Sequence, residues 1–251
     1  MSGVIQRGAL RVWEGGAGAP LLYLHGFEHH PGDASFLRGL ATSRAVRAPE
    51  CPGYGQSTGF ERWRDITDMV LSWRRFIEDW GVGPVDLIGH SLGGMFAAEI
   101  AALCPHLVRR LVLVDAYGLW DDNHPMPDPF VMPPAALAAA KWADPAWAAR
   151  EPNIFDGTPA EAAIARTGNL AVATKFMWPI AERGLIRRLP FIHAPTLIVH
   201  GARDGLVPPA YAKAFAAAIP NAQVTEIAAA GHLPMVEAEG IFLEAVTAFL
   251  S

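Results

Sequence analysis

Seven short apolar runs recur along the chain: LRVW (10–13), LLYL (21–24), AVRA (45–48), VDLIG (85–89), LVLV (111–114), TLIVH (196–200) and VTEI (224–227). Their length suits strands. Several are continuously apolar rather than alternating, so both faces of the strand need cover, and helical patterns at 65–80, 92–103, 209–218 and 236–250 separate most of them. Strand and helix alternating in this way predict an α/β fold with a mostly parallel sheet wrapped by helices on both faces. Ligands of such sheets bind beyond the carboxyl ends of the strands.

One stretch breaks the rhythm. Residues 117–189 carry no strand pattern and are rich in Pro, Trp and Ala. Roughly seventy residues is too long for a plain loop, so the expectation is an inserted helical cap. The division is then 1–116 plus 190–251 as the catalytic core, with 117–189 as the cap.

Composition narrows the function classes. Hydrophobic residues make up 51% of the 251 and charged residues 18%, a balance that excludes a disordered chain. With 20 basic against 25 acidic residues, a formal charge of -5 and no Lys/Arg cluster, nucleic acid is not an expected partner. No run reaches the length of a membrane span, and the opening MSGVIQRGAL lacks a signal core. A cytoplasmic protein with no membrane partner is expected. Cys51 and Cys104 each precede a proline and suggest neither a disulfide nor a zinc site; they read as buried thiols.

The sharpest chemical signal is Gly89-His90-Ser91-Leu92-Gly93, between the run VDLIG and a helical pattern. At a strand-to-helix junction the glycines permit a sharp turn that lifts the serine clear of the sheet. The following helix start offers free N–H groups to a developing negative charge. A serine is a weak nucleophile without a base. His232, in the loop after VTEI, meets that requirement, and Asp204 in Gly-Ala-Arg-Asp-Gly follows TLIVH. All three stand just past expected strands. Asp115, directly after LVLV, is a second candidate for the acid.

At these residues the chain resembles the α/β-hydrolase fold family, with His25-Gly26-Phe27 after LLYL and Cys51-Pro52-Gly53-Tyr54-Gly55-Gln56-Ser57 after the next strand as supporting motifs. The resemblance covers nearly everything outside 117–189. It implies a triad of Ser91, Asp204 and His232, an oxyanion hole from the backbone N–H groups of Phe27 and Leu92, and a cap matching the insert. No cofactor or metal is implied.

Phe27-Glu28-His29-His30 reads as an exposed loop, with Glu28 or His29 able to touch a polar substrate group at the entrance. Adjacent histidines rarely face one ion, so no metal site is expected there. His90 reads as structural. Trp120, Trp142, Met177 and Trp178, with Trp147 and Phe155, would form the cap's own core and part of an apolar pocket; Leu233 joins the pocket from the core side. The expected function is hydrolysis of small to medium, largely apolar or aromatic carboxylic esters by a serine. Expected partners are a small-molecule ester and, at most, a second copy of the chain. The alternative is a carbon-carbon bond hydrolase of vinylogous diketones from ring fission, with Arg166, Lys175 or Arg183 binding a substrate carboxylate. Against it, that group usually places a tryptophan close after the catalytic histidine, where this chain has His232-Leu233-Pro234-Met235. A non-catalytic receptor on a hydrolase scaffold is the reading of a different class.

Overall fold

A computed structural model describes residues 2–150 and 158–251. Every apolar run is a strand: β2 (Leu10–Gly15), β3 (Ala19–Leu24), β4 (Arg44–Pro49), β5 (Val85–His90), β6 (Val108–Val114), β7 (Thr196–Gly201) and β8 (Ala222–Ile227). An additional first strand, β1 (Gly3–Arg7), forms a hairpin with β2. Both faces of β1 are exposed, so burial imposes no apolar pattern on it and the sequence does not announce it.

The eight strands form one sheet in the order β1-β2-β4-β3-β5-β6-β7-β8. β2 runs antiparallel to β1 and β4, and the remaining pairs are parallel. Side chains alternate between two cores. Leu111 and Leu113 of β6 join one with Leu22, Leu24 and Leu87, while Val112 and Val114 join the other with Leu21, Tyr23 and Ile88.

The first core is covered by α2 (Ile66–Trp80), α3 (Leu92–Leu103) and α6 (Ala210–Ala218); the second by α1 (Ser35–Leu40), α7 (Pro234–Glu237) and α8 (Glu239–Leu250). Asp65 caps α2 by accepting from Asp68 N at 3.0 Å, and Met69, Val70, Trp73 and Ile77 form its buried stripe. The helical pattern at 236–250 is interrupted: Ala238 leaves helical geometry between α7 and α8. Cys51 and Cys104 are free and buried. No helix among the described residues is long and apolar enough to cross a membrane.

Helix α3 lies against the sheet at unusually short range. A Cβ on Gly93 would stand 2.3 Å from the Leu24 carbonyl oxygen, so only glycine allows this approach.

Between β6 and β7 the chain forms α4 (Pro134–Lys141), α5 (Pro159–Met177) and several 3-10 turns. Thr158 and Glu161 close a capping box at the start of α5. Phe176 of α5 packs edge-on against Phe96 of α3 (5.0 Å between centroids) and Trp63 (5.9 Å). Arg188 grips Glu99, fully buried in α3, with two hydrogen bonds of 2.5 and 2.6 Å. Phe155 lies outside the described residues.

Gly93→Ala is expected to destabilise the fold by about 3 kcal/mol, the upper end for overpacking, because the clash is with main chain that cannot rotate away. Urea unfolding of the variant beside wild type measures it.

Candidate active site

The site begins where β5 ends. Ser91 adopts φ 57° and ψ -120°, a left-handed conformation that L side chains rarely enter. It is held there by main-chain bonds: Ser91 N donates to Val114 O (2.8 Å), and Ser91 O accepts from Gly94 N (3.0 Å) and Tyr117 N (3.1 Å). The elbow thereby ties the first turn of α3 to the end of β6.

His232, in the loop between β8 and α7, places Nε2 2.9 Å from Ser91 Oγ and Nδ1 2.7 Å from Asp204 Oδ2. Asp204 Oδ1 accepts from Leu206 N (2.8 Å) and Val207 N (3.0 Å). With Asp204 as acceptor, Nδ1 donates, which leaves the Nε2 lone pair facing the serine hydroxyl. All three side chains are buried. Asp115 is buried as well, but its Oδ1 accepts from Gly201 N at 2.9 Å; of the two acids, it is Asp204 that bonds His232.

Main chain from the end of α4 fixes the two loops that carry this pair. Lys141 O accepts from His232 N (2.8 Å) and Ala140 O from Gly205 N (2.9 Å). Glu237 adds a second clasp, its carboxylate accepting from Gly231 N (2.7 Å) and Ala143 N (2.8 Å). His90 Nε2 donates to the His232 carbonyl at 2.8 Å. Burial, then the neighbouring His232, hold His90 well below the usual histidine range, so it is a neutral structural donor.

The loop after β3 runs beside the serine. A Cβ on Gly26 would lie 3.1 Å from Ser91 Cβ. Among the described residues, neither the Phe27 nor the Leu92 N–H donates to a protein acceptor, and Leu92 opens α3, where the helix dipole is positive. His25 pins the loop, donating from Nδ1 to Gly26 O (2.8 Å) and accepting from Cys51 N (2.9 Å); burial lowers its pKa to about 3, keeping it neutral. Tyr54 Oη donates to Phe27 O at 3.0 Å.

The exposed loop expected at Phe27-Glu28-His29-His30 is corrected here: Glu28 and His30 are buried. The His30 ring bridges Ala48 O (2.9 Å) and Gly32 N (2.9 Å). Glu28 meets Lys141 Nζ at 2.5 Å and Arg166 at 2.7 and 3.0 Å, and its carbonyl accepts from Asn169 Nδ2 at 2.9 Å. Asn169 Oδ1 also accepts from Gly55 N at 3.0 Å. Nothing in the local sequence announced this latch. Its one signal was Lys141, a lone charge in the Ala-rich run AALAAAKW.

A pocket opens on Ser91 and His232, with Phe27, Glu28, His29 and Leu233 among its walls. A second pocket is lined by Tyr117, Trp120, Phe130 and Met177. Phe27 lies edge-on to Tyr117 (6.1 Å) and Phe130 (6.2 Å), which places one aromatic residue between the two spaces. Trp142 and Trp178 line neither cavity. The Trp142 ring is packed inside, 5.4 Å from Lys141 Nζ, and Trp178 is 56% exposed. Arg183 donates to the carbonyls of Phe176 and Trp178 and Lys175 stands over the Phe60 ring, so neither they nor Arg166 points a free charge at Ser91.

A family model described as "Alpha/beta hydrolase family" matches residues 21–245. The chain belongs to the alpha/beta hydrolase family. It is 29% identical to the pimeloyl-[acyl-carrier protein] methyl ester esterase of Xanthomonas oryzae pv. oryzae over 94% of this chain and 96% of that protein. To the polyketide synthase ThaQ of Burkholderia thailandensis it is 30% identical over 68% of its own length, but it spans only 9% of that protein. It likewise spans 61% of the dihydrolipoyllysine-residue acetyltransferase component of an acetoin cleaving system from Cupriavidus necator, at 27% identity over 89% of this chain. Among solved structures, a meta-cleavage product hydrolase from Pseudomonas fluorescens matches with a TM-score of 0.77 at 18% identity, covering 98% of this chain and 96% of that one. As in other members of the alpha/beta hydrolase family, the fold gathers these loops at the carboxyl ends of the parallel strands.

Burial alone would raise the Glu28 carboxyl, but Lys141 and Arg166 outweigh it and lower the pKa to about 2 from its ordinary 4.5. A carboxyl lowered by folding contributes stability that is full above its unfolded pKa and fades as pH falls toward the folded one. Glu28→Gln is therefore expected to cost about 3 kcal/mol near neutral pH, since it strands Lys141 without its counter-charge. In urea melts the gap to wild type should close as the pH drops from 4.5 toward 2.

Proposed function

We propose that the protein is a serine hydrolase that cleaves carboxylic esters of small to medium, largely apolar or aromatic substrates through an acyl-enzyme. The observation that carries this reading is the unbroken chain Asp204–His232–Ser91, at 2.7 and 2.9 Å, ending on a serine in a left-handed elbow. Its acceptor end is solvated by two amides and its nucleophilic end sits beside two unengaged ones.

The steps follow from the geometry. His232 Nε2 takes the Ser91 proton as Oγ attacks the ester carbonyl carbon, and Asp204 stabilises the imidazolium. The carbonyl oxygen becomes an oxyanion facing the N–H groups of Phe27 and Leu92, each such donor contributing on the order of 3 kcal/mol to the barrier. His232 returns the proton to the departing alcohol oxygen. A water that gives its proton to His232 then attacks the acyl-enzyme, and Ser91 leaves with that proton restored.

Substrate character follows from the walls: Phe27, Phe36, Leu233 and Met235 around one cavity, Trp120 and Met177 at the other favour apolar acyl or alcohol parts. The name of the Xanthomonas relative, an ester hydrolase matched over nearly its whole length, supports the ester reading. The engagement of Arg166, Lys175 and Arg183 elsewhere weighs against recognition of a diketone carboxylate.

Assayed on p-nitrophenyl esters of rising chain length, the wild type should turn over and Ser91→Ala should lose at least about 10³-fold in kcat. Asp204→Asn should lose on the order of 10⁴-fold through the wrong histidine tautomer. A ring-fission dienoate offered in parallel should keep its absorbance. Bleaching of the dienoate with no ester hydrolysis would replace this reading by carbon-carbon bond cleavage.

A further inference from the structure

A carboxyl that this reaction does not use lies directly behind the acid. Asp115, one residue past β6, is wholly buried and holds φ 44°, a left-handed conformation. Its N–H donates to Val199 O at 3.1 Å and its Oδ1 accepts from Gly201 N at 2.9 Å. Oδ2 has no hydrogen-bond donor among the described residues. Asp115, His200 and Asp204 each bring one polar atom within 4.8 Å of the other two.

The protonation of this cluster can be worked out from its partners. His200 Nε2 lies 2.9 Å from Val207 O, an acceptor, so Nε2 carries a proton. Burial holds the ring below the usual histidine range, and a neutral ring then turns a lone pair at Nδ1 toward Asp115 Oδ1, 3.4 Å away. Asp204 is the poorer place for the proton, because both of its oxygens already accept hydrogen bonds, from His232 and from two amides. Glu237 from α7 adds negative charge, and Tyr117 and His232 face Asp204 in the same cluster. An ionised Asp115 would face a lone pair and two anions in a low-dielectric interior. Consistently, burial and then Asp204 push its carboxyl well above the ordinary range.

We propose that Asp115 is a neutral carboxylic acid whose Oδ2 proton is donated to the Asp204 carboxylate, making it a positioning residue for the acid that holds His232. One proton thus serves two adjacent carboxyls, as in any pair too close to ionise together. It satisfies the orphaned oxygen of Asp115, and it disperses the charge of Asp204 without competing for His232. Its kinetic consequence rests on the serine-hydrolase reading; its spectroscopic consequence does not.

The test uses Asp115→Asn, which keeps a donor and tolerates the left-handed backbone, and Asp115→Gly, which keeps the backbone and removes the donor. Infrared difference spectra of wild type minus Asp115→Asn at neutral pH should show the C=O stretch of a protonated carboxylic acid. Ser91→Ala minus the double variant should show the same band, so a failed ester assay leaves this outcome readable. In ester hydrolysis Asp115→Asn should lose about threefold in kcat with the acid limb of its pH profile in place, whereas Asp115→Gly should lose about 30-fold in kcat with KM nearly unchanged, the scale of one hydrogen bond to a charged group. A missing acid band would overturn the proposal. So would an acid limb that moves down by about one pH unit in Asp115→Asn, the mark of a lost negative charge beside His232. Should Asp115→Gly fail to fold, the band and the Asn profile still decide.

Discussion

The reversal of the main chain at Ser91 is the constraint on which the site depends. A strand buried on both faces must pass directly into a buried helix, and the left-handed conformation that achieves this is unfavourable for a serine. It persists because Val114 O and Tyr117 N clamp the serine main chain and because Gly93 lets α3 close on the Leu24 carbonyl. The same packing brings the loop after β3 beside the serine, with Gly26 against Ser91 Cβ. Ser91, the N-terminus of α3 and the loop after β3 are therefore held together by close contacts of backbone with backbone.

Histidine and aspartate arrive differently. Each comes on a loop after a strand, and their separation is set by main chain at 140–141 and by the Glu237 clasp. The segment between β6 and β7 is thus bonded to the loops of Asp204 and His232 as well as packed on α3. Glu28 binds the loop after β3 to the same segment through Lys141, Arg166 and Asn169.

What could be read from the sequence follows from what is buried on both sides. Central strands and α2 and α3 declare themselves because burial dictates their periodicity, and Ser91, Asp204 and His232 because each stands just past an apolar strand. β1 was silent because water covers both its faces, and α1 because six residues give too little pattern. Glu28 and His30 misled because polar side chains in a loop read as exposed, whereas here their partners come from Lys141, Arg166 and Ala48, far away in the chain. Trp142 and Trp178 show the converse: aromatic character marks apolar surface but not the direction in which it points.

The two bonds from Gly205 N and His232 N are accepted by the carbonyls of Ala140 and Lys141, and a carbonyl is the same whatever side chain its residue carries. The register of His232 is thereby insulated from most substitutions in α4, while the Lys141 side chain answers to a separate partner, Glu28. Variation at this helix can reshape the approach to Ser91 without moving His232. Insertions or deletions there cannot, since they shift the carbonyls themselves.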